Sequence, residues 1–131
     1  MPLEDPVVTS LEHLAERQDD VSREIHRRFT ALCPESEALM SHMDDYMVGR
    51  MMQDVLVLLM TPPEDIDRHY LSFEVGSHRA YGVTPVMFRP LLEAVRDTVR
   101  EQLGSDWSQR FQAAWEQRIA MLSVRIAGAT A

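Results

Sequence analysis

Val75-Gly76-Ser77-His78-Arg79-Ala80-Tyr81-Gly82-Val83 is the stretch on which the reading of this sequence turns. His78 stands in what reads as the last turn of a helix, four residues ahead of a glycine suited to end it. From the residues alone, two readings are open. An imidazole near a helix C-terminus is favoured by the helix dipole, and glycine often follows a helix, so this is an ordinary helix end. The same geometry also suits a single axial ligand held against a flat cofactor.

Downstream of Gly82-Val83-Thr84-Pro85, apolar residues recur at helical spacing: Met87 or Phe88, Leu91, Leu92, Val95, Val99 and Leu103. Pro85 falls at the helix start, where a missing N–H costs little, while Pro90 lies further in and predicts a bent first turn. Leu103-Gly104-Ser105-Asp106 closes that helix and caps the next. The last helix carries Trp107, Phe111, Ala114, Trp115, Ile119, Leu122 and Ile126 as an amphipathic stripe. Residues 1–7 and 127–131 are expected to fray.

Upstream, the helix bearing His69 and His78 is expected over residues 64 to 81. Before it, Asp45 to Met60 is apolar around more than half its circumference, which predicts a helix through the middle of the molecule. Thr61-Pro62-Pro63 ends it. Asp44 and Asp45 could be paired carboxylates for acid–base work, but just ahead of an apolar helix they read as its N-cap and first turn. Residues 35 to 46 are mixed and polar around a knot at Ala38-Leu39-Met40. An earlier helix starts at Asp19, Asp20 or Ser22, has the stripe Val21, Ile25, Phe29 and Leu32 or Cys33, and is stopped or bent by Pro34. Thr9-Ser10-Leu11-Glu12 matches a capping box for the first helix. No run alternates like a strand, so the expectation is one all-α domain of six or seven helices.

Composition narrows the function classes. With 131 residues the chain suits a single domain, and 45% apolar and 26% charged residues are ordinary for a globular protein. A net charge of -8 argues against nucleic acid or an anionic membrane as partner. The longest wholly apolar run, residues 55 to 60, is far too short to span a bilayer, and the N-terminus lacks the basic and apolar regions of a signal peptide. A reducing, cytoplasmic setting is the expectation. Cys33, the only cysteine, excludes an internal disulfide and reads as a small buried filler. No zinc-type histidine spacing, glycine-rich phosphate loop or Gly-x-Ser-x-Gly elbow occurs.

The chain resembles the globin family, and the bacterial single-domain and flavohaemoglobin-like globins most closely. The matching residues are Gly76-Ser77-His78-Arg79-Ala80-Tyr81-Gly82-Val83, then Leu103-Gly104-Ser105-Asp106-Trp107, then Ala114-Trp115. Ile25-His26-Arg27-Arg28-Phe29 through Cys33-Pro34-Glu35 looks like the family's second helix running into its proline turn. The match is strong from Gly76 onward and weak between Met40 and Asp67. It implies a single globin-like domain over residues 1–131, with six to eight helices around a haem b pocket. It also implies that His78 is the proximal ligand to iron, since globins hold haem through one histidine. If residues 74–78 are helical, the carbonyl of Glu74 and the hydroxyl of Ser77 are both in reach of the other ring nitrogen. Tyr81 and Val83 would pack beside the imidazole, and Phe88, Leu91 and Leu92 would supply an apolar wall.

Departures from the family concentrate on the far side of the haem. Met40 stands where a phenylalanine is usual, His26 at the distal position of the second helix, and Met47 (or Val48) at the distal helix position. Met51 follows one turn later, and Arg50 suits contact with a propionate. Three readings are open: methionines as flexible filler, His26 donating a hydrogen bond to bound gas, or His26 or Met47 as sixth iron ligand. The resemblance implies reversible binding of oxygen, nitric oxide or carbon monoxide by a monomer or homodimer. Nitric oxide oxidation would need a separate reductase, so enzymatic activity stays open. The alternative is a haem-free or atypical globin-like domain for sensing or protein interaction.

Overall fold

Helix starts in this chain are set mostly by aspartate and serine side chains that accept from free backbone N–H groups. The computed structural model describes residues 4–18 and 20–129. Among them lie α1 (Pro6–Arg17), α2 (Ser22–Leu32), α3 (Glu35–Leu39), α4 (Asp45–Met60), α5 (Arg68–Arg79), α6 (Phe88–Leu103) and α7 (Gln109–Gly128). Single 3-10 turns at Pro63–Asp65, Pro85–Met87 and Gly104–Asp106 connect the later ones. No strand occurs among the described residues, so the architecture is all-α.

Asp44 caps α4 through Met47 N–H at 2.9 Å, and α4 covers the expected residues. Two other starts shift. The capping box at Thr9 is not used: Asp5 accepts from Val7 N–H at 3.0 Å and Pro6 opens α1 a turn earlier. The Thr9 hydroxyl instead donates to the Glu4 carboxylate and the Asp5 carbonyl. The helix expected from residue 64 splits, because Ile66 and Asp67 are extended and Asp67 starts α5 through His69 N–H at 2.8 Å. The chain ends are more ordered than expected where described. Val7 is buried in α1, and Ala127 and Gly128 belong to α7, while residues 1–3, 130 and 131 lie outside the described residues.

α6 occupies the centre, and α1, α2 and α7 pack around it. It buries Leu91, Leu92, Ala94, Val95, Thr98, Val99 and Leu103, with the Thr98 hydroxyl donating to the Ala94 carbonyl. Trp115 of α7 is fully buried, and its indole N–H donates at 2.8 Å to Ser10, whose hydroxyl donates to the Val7 carbonyl. α4 does not run through the middle. It buries only Val48, Met52 and Leu59, packing that side on α1 and α2. Its other apolar side faces a cavity, which explains a helix apolar over so much of its circumference. No helix is long and apolar enough to cross a membrane.

Arg118 of α7 is 7% exposed and joins distant parts of the chain. One guanidinium nitrogen donates to the Leu59 carbonyl at 2.7 Å, near the end of α4. Another donates to the Asp5 carboxylate, which also caps α1. Substituting Arg118→Met keeps the aliphatic stem but strands that carbonyl and leaves the carboxylate unpaired. Denaturant titration should show a loss of about 2 kcal/mol or more. An unchanged midpoint would mean that this guanidinium is not a structural tie.

Candidate functional site

A cavity of about 650 Å³ opens between α4 and α5. Phe29 of α2, Leu39 and Met40 at α3, Phe88, Leu91 and Leu92 of α6 and Ile126 of α7 complete its wall. The chain passes from the end of α4 to the start of α5 through residues 61–67, and Tyr70 lies on α5 next to that connection. Burial raises the Tyr70 pKa most, and the carboxylates of Glu74 and Asp54 raise it further. Ahead of α4, the His42 ring stacks on Tyr81, just after α5, with centroids 6.3 Å apart and planes 16° apart. The two helices are therefore antiparallel across the cavity. Tyr46 and Met47, in the first turn of α4, therefore belong to the same end of the cavity as His78, in the last turn of α5.

His78 sits in the last turn of α5 as expected, half-buried in the cavity wall. Its Nδ1 donates to the Glu74 carbonyl at 2.7 Å, the i−4 group that helix geometry places beneath it. A carbonyl only accepts, so Nδ1 carries the proton in this contact. The Glu74 carboxylate adds a weaker contact to Nδ1 at 3.9 Å. Phe88 meets the imidazole edge-on, with centroids 5.5 Å apart. Nε2 has no hydrogen-bond partner among the described residues. The ring is thus oriented by one nitrogen and offers the other.

The turn that follows depends on glycine. Val83 N–H returns to the His78 carbonyl at 3.1 Å, and Gly82 takes φ +91°, which side chains rarely adopt. A Cβ on Gly82 would also lie 3.1 Å from Leu39 Cδ2. This close approach seats α3 against the end of α5.

Most residues singled out in the sequence meet on this one wall. Tyr81, Val83, Phe88 and Leu92 line it near His78, and Met40, Met47, Arg50 and Met51 line it from α3 and α4. Ser77 does not: it is exposed, and the imidazole bonds to the Glu74 carbonyl. His26 does not either. The buried line of α2 is Ile25, Phe29 and Cys33, and His26 is one residue off it, so Phe29 reaches the cavity instead. A donated hydrogen bond or iron ligation by His26 therefore loses its geometric basis.

Sequence reasoning overlooked other members. Met43 and Met87 join Met40, Met47 and Met51, so five of the nine methionines line one cavity. Reading the surplus apolar side of α4 as a ligand wall would have anticipated part of this. Ser36 of α3 is 3% exposed, lines the wall, and its hydroxyl has no hydrogen-bond partner. No pattern in the sequence marks it. Arg50 donates to the Tyr46 hydroxyl at 3.3 Å, and His42, Asp54 and Glu74 are further polar members of the lining. Among the described residues no group of three His, Cys, Asp or Glu side chains converges on a metal-sized site.

Cys33 is buried away from this wall and donates weakly to the Glu35 carboxylate at 3.4 Å. Burial raises its pKa most, with Glu35 adding to the effect, which is the reverse of what a nucleophile needs. Alkylation of Cys33 at neutral pH should be negligible in the native protein and rapid in denaturant; fast native labelling would contradict this packing. At the cavity end, Gly82→Ala should cost about 1–2 kcal/mol in urea unfolding, while Gly76→Ala, with open space and ordinary φ, should be neutral or better. Equal behaviour of the two variants would refute the role given to the Gly82 turn.

No family model, curated protein or solved structure matches this chain, which leaves the cavity's own chemistry to speak for function.

Proposed function

We propose that the chain is a globin-type haem b protein that reversibly binds a diatomic gas (oxygen, nitric oxide or carbon monoxide), with His78 as proximal iron ligand. One observation carries the proposal: an imidazole whose Nδ1 is tied to a backbone carbonyl, with an unpartnered Nε2, set in the wall of a large apolar cavity. Metal-bound histidines are held in this way, because the second nitrogen's hydrogen bond fixes tautomer and ring orientation.

The other residues suit the group. Phe88, Leu91 and Leu92 beside His78 and Met47 and Met51 across from it offer apolar surface to two faces of a flat ring. The volume falls within the roughly 300–1,000 Å³ of ligand cavities. Arg50 and His42 on the lining suit the ring's carboxylates, while Asp54 and Glu74 would repel them. Bound haem would supply the iron that takes the gas; the chain supplies the imidazole, the dry wall and control of access. Turnover such as nitric oxide oxidation would draw electrons from a separate reductase.

A second reading is a haem-free domain that docks an apolar partner. The exposed Tyr46, Met47, Tyr70 and Tyr81 around the cavity mouth favour it. Titration of the purified protein with haemin separates the two. The haem reading expects an intense Soret band at one equivalent, and affinity at least about tenfold weaker in His78→Ala. Equal uptake by wild type and variant would remove His78 as ligand, and absence of uptake would leave the docking domain.

A further inference from the structure

Resting on the haem reading, we propose that Met47 is the second axial ligand, so that the resting iron is held between His78 and a thioether. The antiparallel register carries this. Residues 61–67 join the end of α4 to the start of α5 at one end of the cavity, and Tyr81 stacks on His42 at the other. His78 is in the last turn of α5, three residues before Tyr81, and Tyr46 and Met47 are in the first turn of α4, four and five residues after His42. Met47 therefore stands across the cavity from His78, and a flat group between the helices presents one face to each.

The alternatives on that wall are poorer ligands or are engaged elsewhere. Tyr46 is exposed and its hydroxyl is occupied by Arg50. His42 is held against Tyr81. Asp54 is a carboxylate two turns further along α4, and His26 is outside the wall. The other thioethers on the lining, Met40, Met43, Met51 and Met87, are half-buried against the core, whereas Met47 is 41% exposed. An unbranched thioether with three rotatable bonds adapts readily to a ligand. Histidine–methionine ligation raises the reduction potential of haem iron. It also obliges an incoming gas to displace a protein side chain. The site then answers to redox state as well as to gas.

The test uses the haemin-loaded full chain and two volume-conserving variants, Met47→Leu and Met51→Leu, chosen to preserve packing. Wild type should show the near-infrared sulfur-to-ferric-iron charge-transfer band and a six-coordinate, low-spin ferrous spectrum without gas. Met47→Leu should lose both, show a lower reduction potential, and bind carbon monoxide about tenfold faster or more, because the open form is no longer a minor population. Met51→Leu should keep both. A five-coordinate ferrous wild type whose Soret band still depends on His78 would overturn the thioether ligand and leave the haem reading standing. An unchanged Met47→Leu spectrum, or loss of the band in Met51→Leu instead, would overturn the choice of residue. Failure of the wild type to take up haemin would overturn both.

Discussion

The Arg118 guanidinium is the tie on which the arrangement of the outer helices depends. From α7 it holds the Leu59 carbonyl, near the end of α4, and the Asp5 carboxylate, which itself starts α1. Arg125, two turns along α7, donates to the Pro63 carbonyl just past α4. The C-terminal end of α4 and the connection to α5 are thereby drawn onto α7. Leu59, fully buried, seals that end with apolar packing. At the other end of α4, Tyr46 and Met47 remain exposed. A helix pinned at one end and packed on one side has a second apolar side left over, and that side becomes a cavity wall.

α5 completes the enclosure by different means. It packs on α7, buries Leu71 and Val75, and is closed by the Gly82 turn against Leu39. Its cavity face then presents Tyr70, Glu74 and His78 in successive turns. Because the helix itself supplies the carbonyl that orients His78, the imidazole needs no second residue to hold it. The opposite wall is soft by comparison, made of methionine side chains that can follow the shape of whatever lies between. One wall of the cavity is thus held by backbone hydrogen bonding and the other is made of adaptable side chains.

The bounds of α4 were legible because their causes are local: an Asp44 cap and a Thr61-Pro62-Pro63 stop. The hydrogen bond from His78 to the Glu74 carbonyl was equally legible, since helical geometry alone puts that group in reach. The start of α1 was misread because two capping signals lay one turn apart and the earlier Asp5-Pro6 prevailed. His26 and Ser77 lie off the cavity wall for another reason. Each adjoins an inward-facing residue, Ile25 or His78, and on a helix one step rotates a side chain by about 100°. Counting along a sequence cannot resolve such an offset without knowing which face meets the core. The orphaned Ser36 hydroxyl was beyond reach for a like reason, as its isolation arises only when α3 packs against its neighbours.

The central claim is that His78 meets iron through Nε2 while Nδ1 stays bonded to Glu74. Histidine-selective nitrogen-15 NMR of the protein before and after one equivalent of haemin addresses it directly, because there are only five histidines to assign. The account predicts that both His78 ring nitrogens are displaced by paramagnetic iron, Nε2 most strongly, while His42, which lines the same cavity, is affected less. Haemin uptake that leaves the His78 ring signals in place, or displaces those of another histidine more strongly, would contradict it.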